Sequence, residues 1–393
     1  MSLIERVSIH GYRGARDVLL EPGATCVLVG ESSSGKSTVL SAVWTLLEAA
    51  APMPTAVDVS RGVTRIHIEA DVGGRTLFLD ARPPATLNLN REGAPPALFF
   101  PANLRPTTVL APTDDPAKRA VGLVRDESTG DGGLTLVRSI AALASARVRG
   151  LVVLIEEPEL YLSPPAQRHL HRLLRRLAAR GRNQVLYSTH SPVFLGVDRL
   201  EDLVLVRHEE HSGTTLLQPE PLAERKAFRV FSELDAERAE IFLSRAVLFV
   251  EGRTEKLVFP FVFEALGFDV DQEAISIIDC GGKGNMPLFA EICNACSIPY
   301  VIVHDRDAPR GAQPAEGEQI ANETILSVAG RTRTVTLVPD FEGVTGLRAR
   351  RGKPAAAWRR FRGGNGDVPG ALRQAVERVV AAARRAPRTT RGA

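Results

Sequence analysis

Cysteine and lysine are both scarce in this chain, and no long hydrophobic run is present. Only Cys26, Cys280, Cys293 and Cys296 occur in 393 residues. The one close pair, Cys293-Asn-Ala-Cys296, has no second pair to complete the roughly four ligands of a structural zinc site. A zinc module is therefore excluded, and the thiols are expected to be buried or idle in a reducing cytoplasm. No apolar stretch approaches the roughly 18 to 20 residues that cross a bilayer, and Glu5 and Arg6 break the first ten residues. Neither membrane insertion nor secretion is expected, and the predicted location is cytoplasmic. Six lysines stand against 43 arginines, so a retained lysine marks a position where a compact ammonium does what a guanidinium does not. Lys36, Lys283 and Lys353 are singled out on that ground.

What is present is an ordinary globular composition, long enough for two or three domains with separate cores. The net charge of +3 hides an asymmetry. Residues 347–393 hold thirteen Lys or Arg against Asp367 and Glu377. That basic segment suits phosphates or a nucleic-acid backbone, and equally suits a solvated terminus.

The apolar pattern predicts two α/β regions. In the first, a strand over 24–29 runs into a glycine- and serine-rich turn and a helix over 38–51. A hairpin is predicted over 64–80 around Gly73-Gly74, and loops over the proline-rich 83–116. Five apolar residues, Leu151 to Ile155, read as a parallel strand buried on both faces, followed by a helix over 167–179, a strand over 184–188 and a terminal hairpin over 203–217. In the second region, strands over 246–250, 274–278 and 300–303 alternate with helices over 254–266 and 285–295. The expected boundaries are 1–240, 241–346 and the basic segment 347–393.

Gly30-Glu-Ser-Ser-Ser34-Gly35-Lys36-Ser37-Thr38 matches the phosphate-loop pattern between a strand and a helix. Its amides and glycines would cradle the phosphates of ATP, with Lys36 on the β and γ phosphates and Ser37 on magnesium. Glu156 and Glu157, at the end of the buried strand, are placed to hold the metal and to polarise the attacking water, and His190 to contact the γ phosphate. In the second region Glu251 ends a strand, Glu255 opens the next helix, and Asp305 and Asp307 close a later strand. Strand alternation would put the two aspartates on one face, at the carboxyl edge where α/β sheets bind ligands. Such a carboxylate cluster calls for divalent cations, magnesium or manganese, and for two-ion phosphodiester chemistry.

The first constellation resembles the ABC-type ATPases, particularly the branch with RecF, SMC-like proteins and the OLD (overcoming lysogenization defect) nucleases. The resemblance makes Glu156-Glu157-Pro158-Glu159 the Walker B segment, His190 the switch histidine and Tyr12-Arg13-Gly14 an aromatic-arginine segment. It also makes the run from Ser128 through Gly130, Gly132 and Gly133 a degenerate signature motif, and implies a homodimer or higher homo-oligomer. The second constellation resembles the Toprim domain, and the pairing of the two resembles the OLD family. The resemblance implies metal ligands at Glu251, Asp305 and Asp307, with Glu255 serving a second ion. It further suggests Glu342, in Asp340-Phe341-Glu342, as a ligand and Lys353 as a charge-stabilising cation. Gly281-Gly282-Lys283-Gly284 reads as either a phosphate contact or a tight loop. The implied function is an ATP-regulated, metal-dependent DNA endonuclease or nickase in phage or plasmid defence, with a separately encoded helicase as a further partner. The alternative is an ATP-dependent DNA-binding or sensor protein with a non-catalytic Toprim scaffold. Topoisomerase chemistry is disfavoured because Tyr12, Tyr161, Tyr187 and Tyr300, the only tyrosines, fall within other predicted elements. Primase chemistry lacks its zinc domain.

Overall fold

The computed structural model describes residues 3–49, 51–84, 86–102, 132–196, 199–221, 229, 232–347, 352–363 and 367–386. Its described residues divide into two compact units, 3–229 and 232–386.

The first unit is built on one eleven-stranded sheet. Its strands are β1 Ile4–Tyr12, β2 Ala15–Leu20, β3 Thr25–Val29, β4 Ile66–Val72, β5 Arg75–Arg82, β6 Thr86–Asn90, β7 Ala97–Phe100, β8 Val152–Glu156, β9 Gln184–Thr189, β10 Leu203–Glu209 and β11 Gly213–Leu217. Across the sheet they run β6-β5-β4-β1-β2-β11-β10-β3-β9-β8-β7. The five strands from β10 to β7 are parallel; β3 and β8 are apolar almost throughout because both faces are covered, and β9 is buried along its whole length although Gln184, Ser188 and Thr189 are polar. The other six form an antiparallel half, where β4 alternates buried and half-buried residues. Among the described residues this unit has the α-helices α1 Lys36–Leu47, α2 Gly132–Ser145 and α3 Pro164–Ala179. Helix α3 starts on Pro164 and Pro165, which need no amide partners in a first turn, and buries Leu170, Leu173, Leu174 and Leu177 at helical spacing.

Two expectations are corrected here. The proline-rich stretch is not all loop, since it contains β6 and β7, and β7 is the edge of the parallel core, in register with β8 from Ala97↔Val152 to Phe100↔Ile155. The 203–217 hairpin is not terminal in the sheet: β10 lies parallel to β3, and β11 meets β2 at Gly213↔Ala15, so the hairpin joins the two halves.

The second unit has a four-stranded parallel sheet, β13-β12-β14-β15, formed by β12 Ala246–Val250, β13 Ile275–Asp279, β14 Tyr300–Asp305 and β15 Thr334–Leu337. Helices α4 Arg253–Ala265, α5 Met286–Ala295, α6 Glu316–Ala329, α7 Phe341–Thr345, α8 Lys353–Phe361 and α9 Gly370–Arg385 complete it. All five residues of β12 are buried.

The 347–393 segment, set apart by charge, is built into this unit wherever it is described. Helix α9 buries Leu372, Ala375, Val376, Val379, Val380 and Ala383 in the same core as β12 and β14. Burying side chains the size of Leu and Val contributes about 1.5–3 kcal/mol each, enough to hold a basic helix against the sheet. Part of its charge is used internally. The Arg378 guanidinium donates to the Arg331, Thr332 and Thr334 carbonyls, and Arg384 pairs with Glu273.

Candidate active sites

In the first unit, the turn after β3 brings the phosphate loop to the carboxyl end of the parallel core. Gly35 precedes α1 with φ 112°, a backbone that disfavours any side chain. The loop is pressed by the β10–β11 hairpin. A Cβ at Gly35 would lie 2.1 Å from Thr214 Oγ1, and one at Gly30 would lie 2.1 Å from the Val206 carbonyl oxygen. Thr214 Oγ1 donates to the Ser34 carbonyl at 3.1 Å. Lys36 is buried, and its Nζ donates to the carbonyls of Gly30 at 3.0 Å and Glu31 at 2.8 Å. Burial lowers its pKa to about 8, against the pull of Glu157, Glu159 and Glu31. The Ser34 hydroxyl is buried with no protein partner, and Ser37 is exposed at the mouth of the loop while Thr38 is half-buried. A buried ammonium, an unsatisfied hydroxyl and glycine-cleared backbone fit a polyphosphate.

Glu156 ends β8, and its Oε2 accepts from the Ala102 amide at 3.3 Å. Glu157 sits in left-handed backbone, φ 46°, and its amide donates to the Ser188 carbonyl at 3.0 Å. That turn brings its Oε1 to 4.0 Å from His190 Nε2. Burial, then the nearby Lys36, lowers the His190 pKa. Phosphate loop, Glu157 and His190 are thus in one electrostatic environment. Glu159, which sequence reasoning gave no role, fixes the histidine segment. Its Oε1 accepts from the His190 amide at 2.6 Å and its Oε2 from Thr189 Oγ1 at 2.9 Å. It belongs to the Glu-Glu-Pro-Glu run, but nothing in the spacing marks which carboxylate turns toward β9.

Of the signature residues, 128–131, including Gly130, lie outside the described residues. Gly132 and Gly133 open α2, and a Cβ at Gly133 would lie 2.9 Å from Leu162 Cδ2. Tyr12 is buried, bonded to Ser41 Oγ at 3.0 Å and covered by Arg13, which pairs with Asp58 at 2.9 Å. The pair is used in packing around β1.

In the second unit, acids from four elements meet at the carboxyl edge of the sheet. Glu251 follows β12, Glu255 lies in the first turn of α4, Asp305 ends β14 and Glu342 lies in the first turn of α7. The Asp305 amide donates to Glu251 Oε2 at 3.5 Å. Burial raises the Asp305 pKa to about 8, reinforced by Glu251, Glu255, Asp307 and Asp340. Burial likewise brings Glu255 to about 7, reinforced by Glu251 and Glu342, and raises Glu251. Like charges this close and this desolvated are unfavourable without a cation.

The strand-alternation argument for Asp307 does not hold. Strand β14 ends at Asp305, and Asp307 lies beyond it with φ 60°. Its carboxylate pairs with Lys283, whose Nζ also donates to Glu318 at 2.6 Å. Lys283 is buried, so the glycine-flanked lysine clamps two acids, Asp307 and Glu318. Lysine scarcity pointed to Lys283, whereas nothing in the sequence marked Glu318 on α6. Among the described residues, no three His, Cys, Asp or Glu side chains stand close enough to enclose an ion. Lys353 Nζ pairs with Glu342 at 2.6 Å, bringing the two late motifs together. Asp340 caps α7, its Oδ1 accepting from the Gly343 amide at 2.7 Å.

Three family models match the chain. The model described as "Overcoming lysogenization defect protein-like, TOPRIM domain" spans 242–307, which contains Glu251, Glu255, Asp305 and Asp307. An AAA domain model spans 122–196 and a model of a family of unknown function spans 1–54. The OLD nuclease of Thermus scotoductus is 34% identical over 213 residues, covering 50% of this chain and 40% of that protein. The chain thus joins an ATPase-type first unit to a Toprim domain in the second, and over half its length it is similar to an OLD nuclease. The Old nuclease of Escherichia phage P2 is 26% identical over 205 residues, 49% of this chain and 35% of that protein. The match therefore spans less than half the length of either OLD relative. The C-terminal region of the Burkholderia pseudomallei OLD protein is 18% identical, covers 36% of this chain and 99% of that one, and has a TM-score of 0.27. No helix among the described residues is long and apolar enough to cross a membrane.

Proposed function

We propose that this chain is an ATP-regulated, divalent-metal-dependent DNA endonuclease or nickase of the OLD type. The observation that carries this reading is the Toprim edge itself, where Asp305, Glu251 and Glu255 lie half-buried near one another and all three carboxyls are pushed upward in pKa, by desolvation first and then by the neighbouring acids. Glu251, Glu255, Asp305, Asp307 and Glu342 form an all-oxygen donor set, the class that magnesium and manganese take. A pair of such ions, when bound, supplies an activated water and neutralises charge at the scissile phosphate. Lys283 neutralises Asp307 and Glu318 at the rim of the set. Lys353, oriented by Glu342, presents an ammonium to a phosphate oxygen.

In the ATPase domain, Lys36 and the loop amides bind the β and γ phosphates, and Ser37 and Glu156 hold magnesium. Glu157 orients water, and His190 contacts the γ phosphate. Gly130 and Gly132 serve a nucleotide held by a second copy, which makes a homodimer or higher homo-oligomer the working assembly. A separately encoded helicase is a further partner, and defence against phage or plasmid DNA in the cytoplasm is the corresponding role.

The competing reading, an ATP-dependent DNA-binding or sensor protein with a Toprim scaffold, draws on the absence of a closed ion-enclosing triad among the described residues. Supercoiled plasmid, incubated with magnesium or manganese and with or without ATP, separates the two. The nuclease converts it to open-circular or linear DNA, and EDTA abolishes conversion by at least about 100-fold. DNA binding without cleavage under every ion condition supports the scaffold.

Glu159 is assigned as a positioning residue for His190. Hydrogen bonds to a charged partner contribute about 1.5–3 kcal/mol each. Glu159→Ala is therefore expected to lower kcat for ATP hydrolysis by roughly 10- to 100-fold, with ATP affinity within about twofold. Glu159→Gln, which keeps one acceptor, recovers part of the loss. Steady-state kinetics with a separate binding titration checks this, and an equal loss of affinity would place Glu159 in nucleotide binding instead.

A further inference from the structure

At the opposite edge of the parallel core from Glu156 and His190, the loops entering β8 and β9 carry a second, separate charged surface. A cleft of about 420 Å³ there is lined by Arg147, Arg149, Arg176 and Arg180, over a floor that includes Leu143 and Leu177. All four arginines are exposed. No ion pair to any of them occurs among the described residues, and no carboxylate lines the cleft. Further arginines, Arg168, Arg172 and Arg182, lie exposed on or just after α3. Between residues 138 and 182 the only acids are Glu156, Glu157 and Glu159, which lie at or beyond the carboxyl end of β8.

The cleft is held by a built-in tie. Asn183 is buried, and its Nδ2 donates to the carbonyls of Val148 at 2.9 Å, Leu177 at 3.1 Å and Arg180 at 2.9 Å. Its Oδ1 accepts from the Leu151 amide at 3.1 Å, and the Gly150 amide donates to the Gly181 carbonyl at 3.0 Å. Gly181, at φ 73°, leaves no room for a side chain, since a Cβ would lie 2.8 Å from Arg149 Cγ. One buried amide thus locks the loop bearing Arg147 and Arg149 to the end of the helix bearing Arg176 and Arg180. Four guanidiniums at one mouth repel one another, and a sequence gains nothing in stability from placing them there without an anion to share. Planar forks of this kind match phosphodiester oxygens bidentately.

We infer that this arginine cleft is a docking surface for the phosphate backbone of double-stranded DNA, contacting it away from the nucleotide site and without base readout. The inference rests on the proposed DNA-directed function and names the part of the ATPase domain that holds the duplex. Neutralisation of phosphates by four arginines releases counterions, so each contributes about one to the slope of log affinity against log salt.

The test is a fluorescence-anisotropy titration of the full chain with a labelled random-sequence duplex in EDTA, at several salt concentrations. The wild type is compared with R147E/R149E/R176E/R180E and with the milder R176Q/R180Q, whose exposed positions leave the core intact. The expected result is a loss of duplex affinity of at least about 30-fold in the quadruple variant and a salt slope lower by about three to four, with about half that change in slope in the double variant. ATP hydrolysis without DNA stays within about twofold in both, showing that the ATPase domain is folded. Wild-type affinity and slope in both variants overturn the docking surface while leaving the nuclease reading intact. A wild type that neither binds nor cuts DNA overturns the nuclease reading itself. Loss of binding to anionic phospholipid vesicles with duplex binding unchanged also overturns the inference, in favour of a membrane surface.

Discussion

Asp305→Ala is expected to abolish plasmid nicking in manganese, by on the order of 10³-fold or more, and to leave ATP hydrolysis within about twofold. The size follows from position: burial first, and then four neighbouring acids, raise the Asp305 pKa to about 8. On the proposed reading, removing Asp305 takes a donor from the oxygen set. The same crowding separates a catalytic defect from a folding defect. Asp305 is a source of repulsion in the folded chain, so its isostere Asp305→Asn should melt no lower than the wild type in EDTA while failing to cut. Unchanged cutting by Asp305→Ala removes the Toprim assignment. A sharply lowered melting temperature shows that Asp305 is a structural acid.

Lys36→Ala is expected to weaken ATP binding by roughly 100-fold, because a buried ammonium already aimed into the loop by the Gly30 and Glu31 carbonyls has no substitute nearby. Its pH dependence is a second signature. Burial lowers the Lys36 pKa to about 8, so the ammonium is charged at pH 7 and is lost as pH rises through 8. Isothermal titration should show wild-type affinity declining from pH 7.5 to 9 and the variant showing no such decline. Wild-type affinity in Lys36→Ala contradicts the phosphate-loop reading.

The elements that were legible in the sequence are those whose residues answer to local rules. The phosphate loop needs glycine where a Cβ is forbidden, and β8 and β12 are apolar because both faces are buried. What was not legible depends on partners distant in the chain. Ala97–Phe100 is too short to stand out between prolines and becomes a strand only through β8. Residues 370–385 show arginines to a charge count, yet their i, i+3 and i+4 apolar positions meet the Toprim core. In the site, Glu251, Glu255, Asp305 and Glu342 could be named from strand ends and motif resemblance. The turn that carries Asp307 out of its strand toward Lys283 could not, because a left-handed residue at that position leaves no mark on the alternation pattern.

The hairpin that leans on the phosphate loop governs how that loop can be dissected experimentally. With the Val206 carbonyl and the Thr214 side chain where a β-carbon would have to go, even alanine at position 30 or 35 forces apart the seam between the parallel and antiparallel halves. Such glycine replacements confound misfolding with loss of nucleotide. Lys36 can be shortened without that collision, which makes it the cleaner probe of what the loop holds.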